Sequence, residues 1–258
     1  LNIHKDFRYH PKQVLGGDSA EWLFDHVGIF IWAPEIWSPQ RQAGVEMKHH
    51  IDWYRSHPLE DDLKLLAWSD EKLGGRGYVD WYEFDHPELG RVELGGWDFS
   101  YAWRNPPPEF LEAEIAPLVE WVIWQARLTP RLEVIQADST PLGDGRYRLR
   151  LDVQNIGWLP TYVTKKAMEK SLSRGLLFEI EIPDDAELLV GKERNPGGEL
   201  EGRAYHGSSA TPWATRAAPL HADRTRHEWV VSAPPGSQVT LVARHDRAGT
   251  VRATVTLA

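Results

Sequence analysis

The stretch that decides the fold reads GGDSAEWLFDHVGIFIWAPEIW and covers residues 16 to 37. Its Gly-Gly pair predicts a turn, and the residues after the pair have the pattern of a short amphipathic helix. Gly28 supplies the signal that ends this helix. A nearly unbroken apolar run then leads to one carboxylate, Glu35. We therefore expect a buried strand, residues 29–33, that delivers Glu35 to a site at its carboxyl end.

The chemistry of Glu35 follows from that expected position. A carboxylate that ends an apolar strand is partly stripped of water, which suits it to take a proton from a water molecule and pass it on. The structural alternative is a glutamate that only bonds a nearby backbone N–H or an arginine such as Arg41. The residues by themselves leave both interpretations open.

Composition limits the function classes. The chain has 258 residues, enough for one large or two ordinary domains. Its net charge of −9 disfavours nucleic acid and anionic membranes as partners. The absence of cysteine excludes disulfides, thiolate zinc sites and cysteine nucleophiles. It also favours a reducing, cytoplasmic location, and the Leu at position 1 indicates a piece of a longer protein.

The aromatic residues divide the chain in two. Ten of the 13 tryptophans lie between Trp22 and Trp124, and the apolar periodicity changes from helical to alternating just after them. We therefore predict one domain over residues 1–129 and a second, all-β sandwich domain over residues 130–258.

Local patterns predict the individual elements. Helices are expected over residues 45–57, 60–73 and about 106–129, with a further short one within 161–173. Short strands are expected over residues 78–84 and 91–94. In the second half, alternation predicts strands over residues 146–153, 176–182, 187–190, 227–232, 239–245 and 250–257, and residues 195–220 are expected to form a long loop.

Several of these features together resemble a known family. The Gly16-Gly17 turn, the Glu21-Trp22 pair, Gly28, the apolar run and Glu35 are similar to the last strand and loop of zinc carboxypeptidases of the carboxypeptidase A type. The stretches ELGGW (93–97), NPPPEFL (105–111) and GWLPT (157–161) are similar to bacterial members that append a β-sandwich. The resemblance implies an α/β fold class for the first part: the carboxyl-terminal portion of a mixed sheet with helices, followed by the sandwich.

The family resemblance also implies a site. Glu35 would be the catalytic general base, and Tyr9 would stand for the family's mobile tyrosine, although the matching register falls on Lys12. Ile31, Trp32 and Trp37 would shape the substrate pocket. The cofactor would be Zn²⁺, with its ligands upstream of Leu1 and none assigned in this chain. The expected partners are a peptide substrate and the missing amino-terminal part of the catalytic domain, so the isolated chain should be inactive and bind zinc weakly.

Two other functions stay open at this point. The tryptophans and the β-sandwich are also typical of carbohydrate-binding modules, in which case Trp213 or Trp229 would stack on a sugar. Alternatively, the sandwich braces the catalytic domain or mediates contacts in a homo-oligomer.

Overall fold

The computed structural model describes residues 17–205 and 222–258. Contacts divide the described chain into two compact units. The first, here called the aromatic unit, comprises Ala33–Val122. The second, here called the sandwich unit, comprises Gly17–Trp32 together with Ile123–Ala258. Both contain antiparallel sheets, and together they give a protein of mixed helices and strands.

The helices are α1 (Ser19–Trp22), α2 (Pro39–Gln42), α3 (His50–Arg55), α4 (Leu59–Leu73), α5 (Pro108–Leu128) and α6 (Lys165–Glu169). Two π-helical turns, Leu23–Val27 and Phe99–Arg104, and a 3₁₀ turn, Arg203–Tyr205, complete the helical structure described. The strands are β1 (Tyr78–His86), β2 (Gly90–Trp97), β3 (Leu132–Gly143), β4 (Arg146–Asn155), β5 (Leu176–Glu181), β6 (Glu187–Val190), β7 (Arg194–Gly198), β8 (Arg224–Ser232), β9 (Gln238–His245) and β10 (Gly249–Thr256).

The aromatic unit is built on small clusters of buried rings. Trp37 and Trp68 pack with Leu73, and Trp53 packs with Leu65 in a second cluster. The prediction of a helix at 60–73 is confirmed by α4, which begins one residue earlier. Within α4, Leu65 and Trp68 are buried, whereas Leu63 is exposed.

The helix predicted at 45–57 is wrong over its first turns. Only His50–Arg55 is helical, and Val45 lies in irregular chain, buried against Trp53. The polar, glycine-flanked stretch before His50 offers no capping side chain, and α3 begins where the acidic Asp52 falls in the first turn.

Helix α5 and the β1–β2 hairpin leave apolar side chains at the surface. None of the residues of α5 is buried, although its apolar positions repeat with helical spacing. Strand β1 exposes Val79, Trp81, Tyr82 and Phe84 in succession. Among the described helices, which include the 21-residue α5, none combines the length and hydropathy of a membrane span.

The sandwich unit consists of two four-stranded antiparallel sheets. One has the strand order β10-β9-β5-β7 and the other β3-β4-β8-β6. The alternation predicted for residues 146–153 is confirmed, because Tyr147, Leu149, Leu151 and Val153 of β4 are all buried. They share one apolar core with Phe178, Trp229, Leu241 and other residues of both sheets.

The prediction of a strand at residues 29–33 is wrong. These residues have no regular secondary structure, and Phe30 and Trp32 are 49% and 59% exposed. A strand requires a neighbour that pairs with its N–H and C=O groups, and none of the described strands pairs with this segment. The apolar run alone therefore does not produce the buried strand that its composition favours.

Candidate active site

Glu35 lies on the wall of a cavity of about 390 Å³ within the aromatic unit. Glu35 is exposed to solvent and does not end a buried strand, which corrects the expectation that it is stripped of water. The lining residues are Glu35, Trp37, Pro39, Gln40, His50, Ile51, Tyr54, Phe99, Trp103 and Arg104. Aromatic rings supply much of the wall, and the polar groups lie among them.

The backbone that follows Glu35 is firmly held. The indole Nε1 of Trp37 donates to the carbonyl oxygen of Ala102 over 2.9 Å, and the Trp37 ring packs against Trp68 and Phe110. Ser38 then caps α2 by accepting the N–H of Arg41 over 3.1 Å. A buried ring two residues away and a capped helix directly after it therefore restrict the backbone that carries Glu35.

His50 provides a neutral imidazole at the first position of α3. Burial lowers the pKa of His50, and the nearby Glu35 carboxylate opposes that shift only in part. Burial therefore favours the neutral form of this ring. It packs edge-on against Tyr54 with 4.8 Å between ring centroids. His50 and Tyr54, four residues apart on α3, thus present two adjacent polar groups to the cavity.

The Tyr54 hydroxyl is oriented by a buried amide. Gln40 is almost wholly buried, and its Nε2 donates to the Tyr54 oxygen over 3.3 Å. Because the oxygen accepts this bond, the hydroxyl proton remains available for an acceptor inside the cavity.

Arg104 contributes the permanent positive charge. It ends the π-helical turn Phe99–Arg104, whose start is capped by the Asp98 carboxylate bonding the N–H groups of Ser100 and Tyr101. The guanidinium carbon lies 5.7 Å from the centre of the Phe99 ring. Arg104 forms no ion pair with a carboxylate of the described residues, and it is the one arginine or lysine among the residues that line this cavity.

The described residues do not fit a zinc site. Within residues 17–205 and 222–258, no group of three or more histidine, aspartate or glutamate side chains could hold a metal ion. His57 and Glu60 are spaced as His-x-x-Glu, the pattern that the carboxypeptidase resemblance implies for two of the zinc ligands. Both ring nitrogens of His57 are nevertheless engaged, Nδ1 with the Trp53 carbonyl at 2.9 Å and Nε2 with Asp62 at 3.0 Å. These bonds, that to Trp53 first, raise the pKa of His57, which favours a cation rather than a metal ligand.

A second cavity of about 650 Å³ contains His49, His57 and Asp61. Asp61 is buried and accepts the Trp53 indole N–H over 2.9 Å, and Lys64 approaches it at 3.4 Å. The Asp61 carboxylate is therefore engaged in bonds that hold α3 and α4 together. This makes the second cavity a weaker candidate for an active site than the cavity at Glu35.

The structure brings together only part of the site predicted from sequence. Glu35 and Trp37 line the same cavity, whereas Ile31 and Trp32 belong to the sandwich unit and are not among its lining residues. Tyr9 lies outside the described residues. His50, Tyr54 and Arg104 also line the cavity but were not predicted from the sequence as site residues. The i, i+4 spacing of His50 and Tyr54 was a usable signal, but nothing in the local sequence marks Arg104.

Comparisons with known proteins add little to this geometry. Residues 131–256 match the model of a domain of unknown function, DUF8731, which falls within the sandwich unit. No curated protein matches the chain. Among solved structures, the chain is similar to the GAE domain of GGA2p from Saccharomyces cerevisiae, with 12% identity, a TM-score of 0.30 and coverage of 50% of this chain and 91% of that one.

The chain is also similar to the secreted serine protease VesC from Vibrio cholerae, with 16% identity and a TM-score of 0.26. That match covers 68% of this chain and 31% of the protease. TM-scores this low support no assignment of fold or function, so the candidate site depends on the residues described above.

Proposed function

We propose that this chain is the carboxyl-terminal part of a zinc-dependent, carboxypeptidase-like hydrolase in which Glu35 is the general base. The observation that carries the proposal is the cavity shared by Glu35, His50 and Arg104, the last of which forms no ion pair with any residue of the described ranges. A carboxylate that exchanges protons beside a positive charge is the combination needed to cleave an amide bond next to a substrate carboxylate.

Each group has a defined task in this proposal. Glu35 accepts a proton from the attacking water and returns it to the nitrogen of the leaving amino acid, so protons balance over the reaction. Arg104 pairs with the terminal carboxylate of the peptide. Trp37 and Trp103 contact the side chain of the terminal residue, which favours apolar or aromatic residues at that position.

Zinc enters the proposal only through the family resemblance. The described residues form no metal site, and it is the family resemblance that assigns the zinc ligands to an upstream part of the parent protein, so no catalytic step is derived through the metal. The role of Glu35 as a proton acceptor stands on its carboxylate and its cavity alone.

The surface of the aromatic unit supports a missing partner of the same catalytic domain. Trp81, Tyr82 and Phe84 are exposed on β1, and Val119 and Val122 are exposed on the part of α5 that belongs to this unit. Large apolar side chains exposed in this number are often covered by another structure. We assign this surface to contact with the amino-terminal part of the catalytic domain.

One of the two tryptophans that the carbohydrate-binding alternative requires is not available to a sugar. Trp229 is fully buried in the core of the sandwich, with its Nε1 donating to the Lys192 carbonyl over 3.0 Å. It cannot stack on a sugar without unfolding the sheet. Trp213 lies outside the described residues, so it adds nothing to this alternative.

The proposal is tested with the full-length parent loaded with zinc. Peptides with a free terminal carboxylate and an aromatic last residue should be cleaved, and the same peptides with a terminal amide should be cleaved about 100-fold more slowly. Arg104→Met should reduce that preference to below tenfold, whereas Arg91→Met, an exposed arginine on β2 paired with Glu83, should leave it unchanged. Absence of cleavage, or equal loss in both variants, contradicts the proposal.

A further inference from the structure

We infer that the cavity at Glu35 binds a free α-amino acid as a zwitterion, with Arg104 on its carboxylate, Glu35 on its ammonium group and aromatic rings on its side chain. The ligand class is an α-amino acid with an apolar or aromatic side chain. Binding itself depends only on residues of the aromatic unit. That such an amino acid is also the product of cleavage, and therefore inhibits the parent enzyme, rests on the proposed function.

Two opposite charges line this cavity without neutralising each other. Glu35 and Arg104 are both exposed, and both are lining residues. Neither forms an ion pair, with the other or with any charged side chain of the described residues. A carboxylate and a guanidinium that do not pair with each other are each available to an opposite charge on a ligand. A molecule that carries both charges satisfies the two at once.

The size of the cavity limits the ligand. Its volume of about 390 Å³ is at the low end of the range for small-molecule pockets. A single amino acid is the smallest common zwitterion that also has an apolar side chain. The cavity therefore favours one free residue over an extended peptide as the molecule that bridges the two charges.

One hydrogen bond connects the segments that carry the two charges. Glu35 lies in irregular chain two residues before Trp37, whose indole donates to the Ala102 carbonyl over 2.9 Å. Ala102 belongs to the π-helical turn that Arg104 ends. The Trp37–Ala102 bond is buried and therefore restricts the backbone on both sides of the cavity. Such restriction reduces the ordering that a ligand must bring about when it binds.

Aromatic rings occupy the wall beside the charges. Phe99 is 60% exposed, and the guanidinium carbon of Arg104 lies 5.7 Å from the centre of its ring. Tyr54 and Trp103 meet edge to face with 6.2 Å between their ring centroids. An apolar side chain gains free energy on contact with such surface, and an ammonium group is attracted to the faces of the rings. The wall therefore favours an apolar or aromatic amino acid over glycine.

The remaining polar groups of the cavity suit the same ligand. Burial lowers the pKa of His50, which favours a ring without the positive charge that would repel an ammonium group. The Tyr54 oxygen accepts a bond from the buried Gln40 amide over 3.3 Å, so its hydroxyl proton is available to a carboxylate. Each charged end of a zwitterion therefore meets a complementary group.

In the proposed reaction, cleavage creates the charge that Glu35 binds. The nitrogen of the last residue of a peptide belongs to a neutral amide. Hydrolysis adds the hydroxyl of water to the acyl carbon and a proton to that nitrogen, and the released amine takes up a second proton from solvent at neutral pH. The product therefore has an ionic contact with Glu35 that the substrate lacks, and it competes with the next peptide for the cavity.

The experiment measures binding to the 258-residue chain, without zinc, of three probes of similar size. L-phenylalanine carries both charges, N-acetyl-L-phenylalanine lacks the ammonium group, and L-phenylalaninamide lacks the carboxylate. Dissociation constants are taken from the shift of the Trp103 indole N–H signal in NMR titrations. L-phenylalanine should bind about fivefold or more tightly than either other probe, because each of them loses one charge-assisted contact.

Charge-removing variants assign each end of the ligand. Glu35→Gln should bring the affinities for L-phenylalanine and N-acetyl-L-phenylalanine to within about twofold, and Arg104→Met should do the same for L-phenylalanine and its amide. Arg104→Lys keeps a cation and should retain part of the preference over the amide. Glu46→Gln and Arg91→Met remove exposed charges that do not line this cavity, and serve as matched controls that should keep every preference.

Three results would overturn the inference. They are the absence of binding of L-phenylalanine at concentrations up to about 20 mM, equal affinities for the three probes, and a loss of preference in the control variants equal to that in Glu35→Gln and Arg104→Met. Because Glu35 and Arg104 are exposed, circular dichroism should show that these variants fold like the unaltered chain.

The inference and the proposed function fail separately. In the zinc-loaded parent, L-phenylalanine at its dissociation constant should about double the apparent KM for a peptide and leave kcat unchanged. Selective binding by the chain together with a parent that cleaves no peptide would keep the amino-acid site and remove its role as a product site. Cleavage that depends on Glu35, without selective binding of L-phenylalanine by the chain, would sink the inference alone.

Discussion

The sandwich unit closes its own core, whereas the aromatic unit leaves much of its apolar surface open. In the sandwich, Leu149, Leu151 and Trp229 are fully inaccessible to solvent. In the aromatic unit, Trp81, Tyr82 and Phe84 of β1 are exposed. The two units therefore differ in how completely they bury their apolar side chains, and the candidate site of the aromatic unit lies at its cavity.

The largest expected effect contrasts a fully buried tryptophan with an exposed one. Trp229→Ala should lower the free energy of unfolding of the sandwich by about 4 kcal/mol, because it removes a fully buried ring and one hydrogen bond. Trp124→Ala, on the exposed face of α5, should change it by no more than about 0.5 kcal/mol. Urea unfolding followed by circular dichroism measures both. Similar losses in the two variants would erase the contrast.

A second prediction concerns the pH dependence of the sandwich. Burial raises the pKa of Glu199, but the bonds from His245, Ser173 and Thr161 outweigh burial and lower this pKa to about 2. A carboxylate with a depressed folded-state pKa stabilises the fold above its unfolded pKa of about 4.5 and loses that contribution as pH falls toward 2.

The sandwich should therefore lose about 3 kcal/mol of unfolding free energy between pH 4.5 and pH 2 through this group. Glu199→Gln should flatten that part of the profile, whereas Glu181→Gln, an exposed glutamate paired with Arg252, should not. Urea unfolding at a series of pH values measures the effect. A profile that keeps its full slope in Glu199→Gln would contradict the assignment.

The smallest expected effect tests the site in the aromatic unit. The Glu35 carboxylate raises the pKa of His50 against the stronger effect of burial. Glu35→Gln should therefore lower the pKa of His50 further, and Glu46→Gln, an exposed glutamate of the same unit, should leave it unchanged. Titration of the imidazole by NMR checks this. An unchanged pKa of His50 in Glu35→Gln would place Glu35 away from the ring.

The sandwich could be predicted from sequence because local alternation and burial agree there. Over residues 146–153 of β4, the inward residues Tyr147, Leu149, Leu151 and Val153 alternate with charged ones, so the period of two alone fixes which face is buried. The sequence-based predictions agree less well with the structure in the segment that leads into the aromatic unit. Residues 29–33 are apolar enough for a buried strand, but a strand depends on a partner that local sequence does not supply.

Only part of the candidate site could be predicted from the sequence. Glu35 and Trp37 stand out in the sequence because they end the apolar run. Arg104 reaches the cavity through a π-helical turn about 70 residues later, a contact that only the folded chain creates. Gly28 was expected to end a helix, and it does. Its packing against Ala167, nearly 140 residues away, carries no local signal.

The central claim, that Glu35 is the base of a peptide hydrolase, is tested most directly by one ratio. It is kcat/KM of Glu35→Gln relative to the unaltered full-length parent, both loaded with zinc, with a peptide that has a free aromatic carboxyl terminus. We predict a fall of about 1,000-fold or more with an unchanged melting temperature, since glutamine fills the same space but accepts no proton. A fall of less than tenfold would contradict the account.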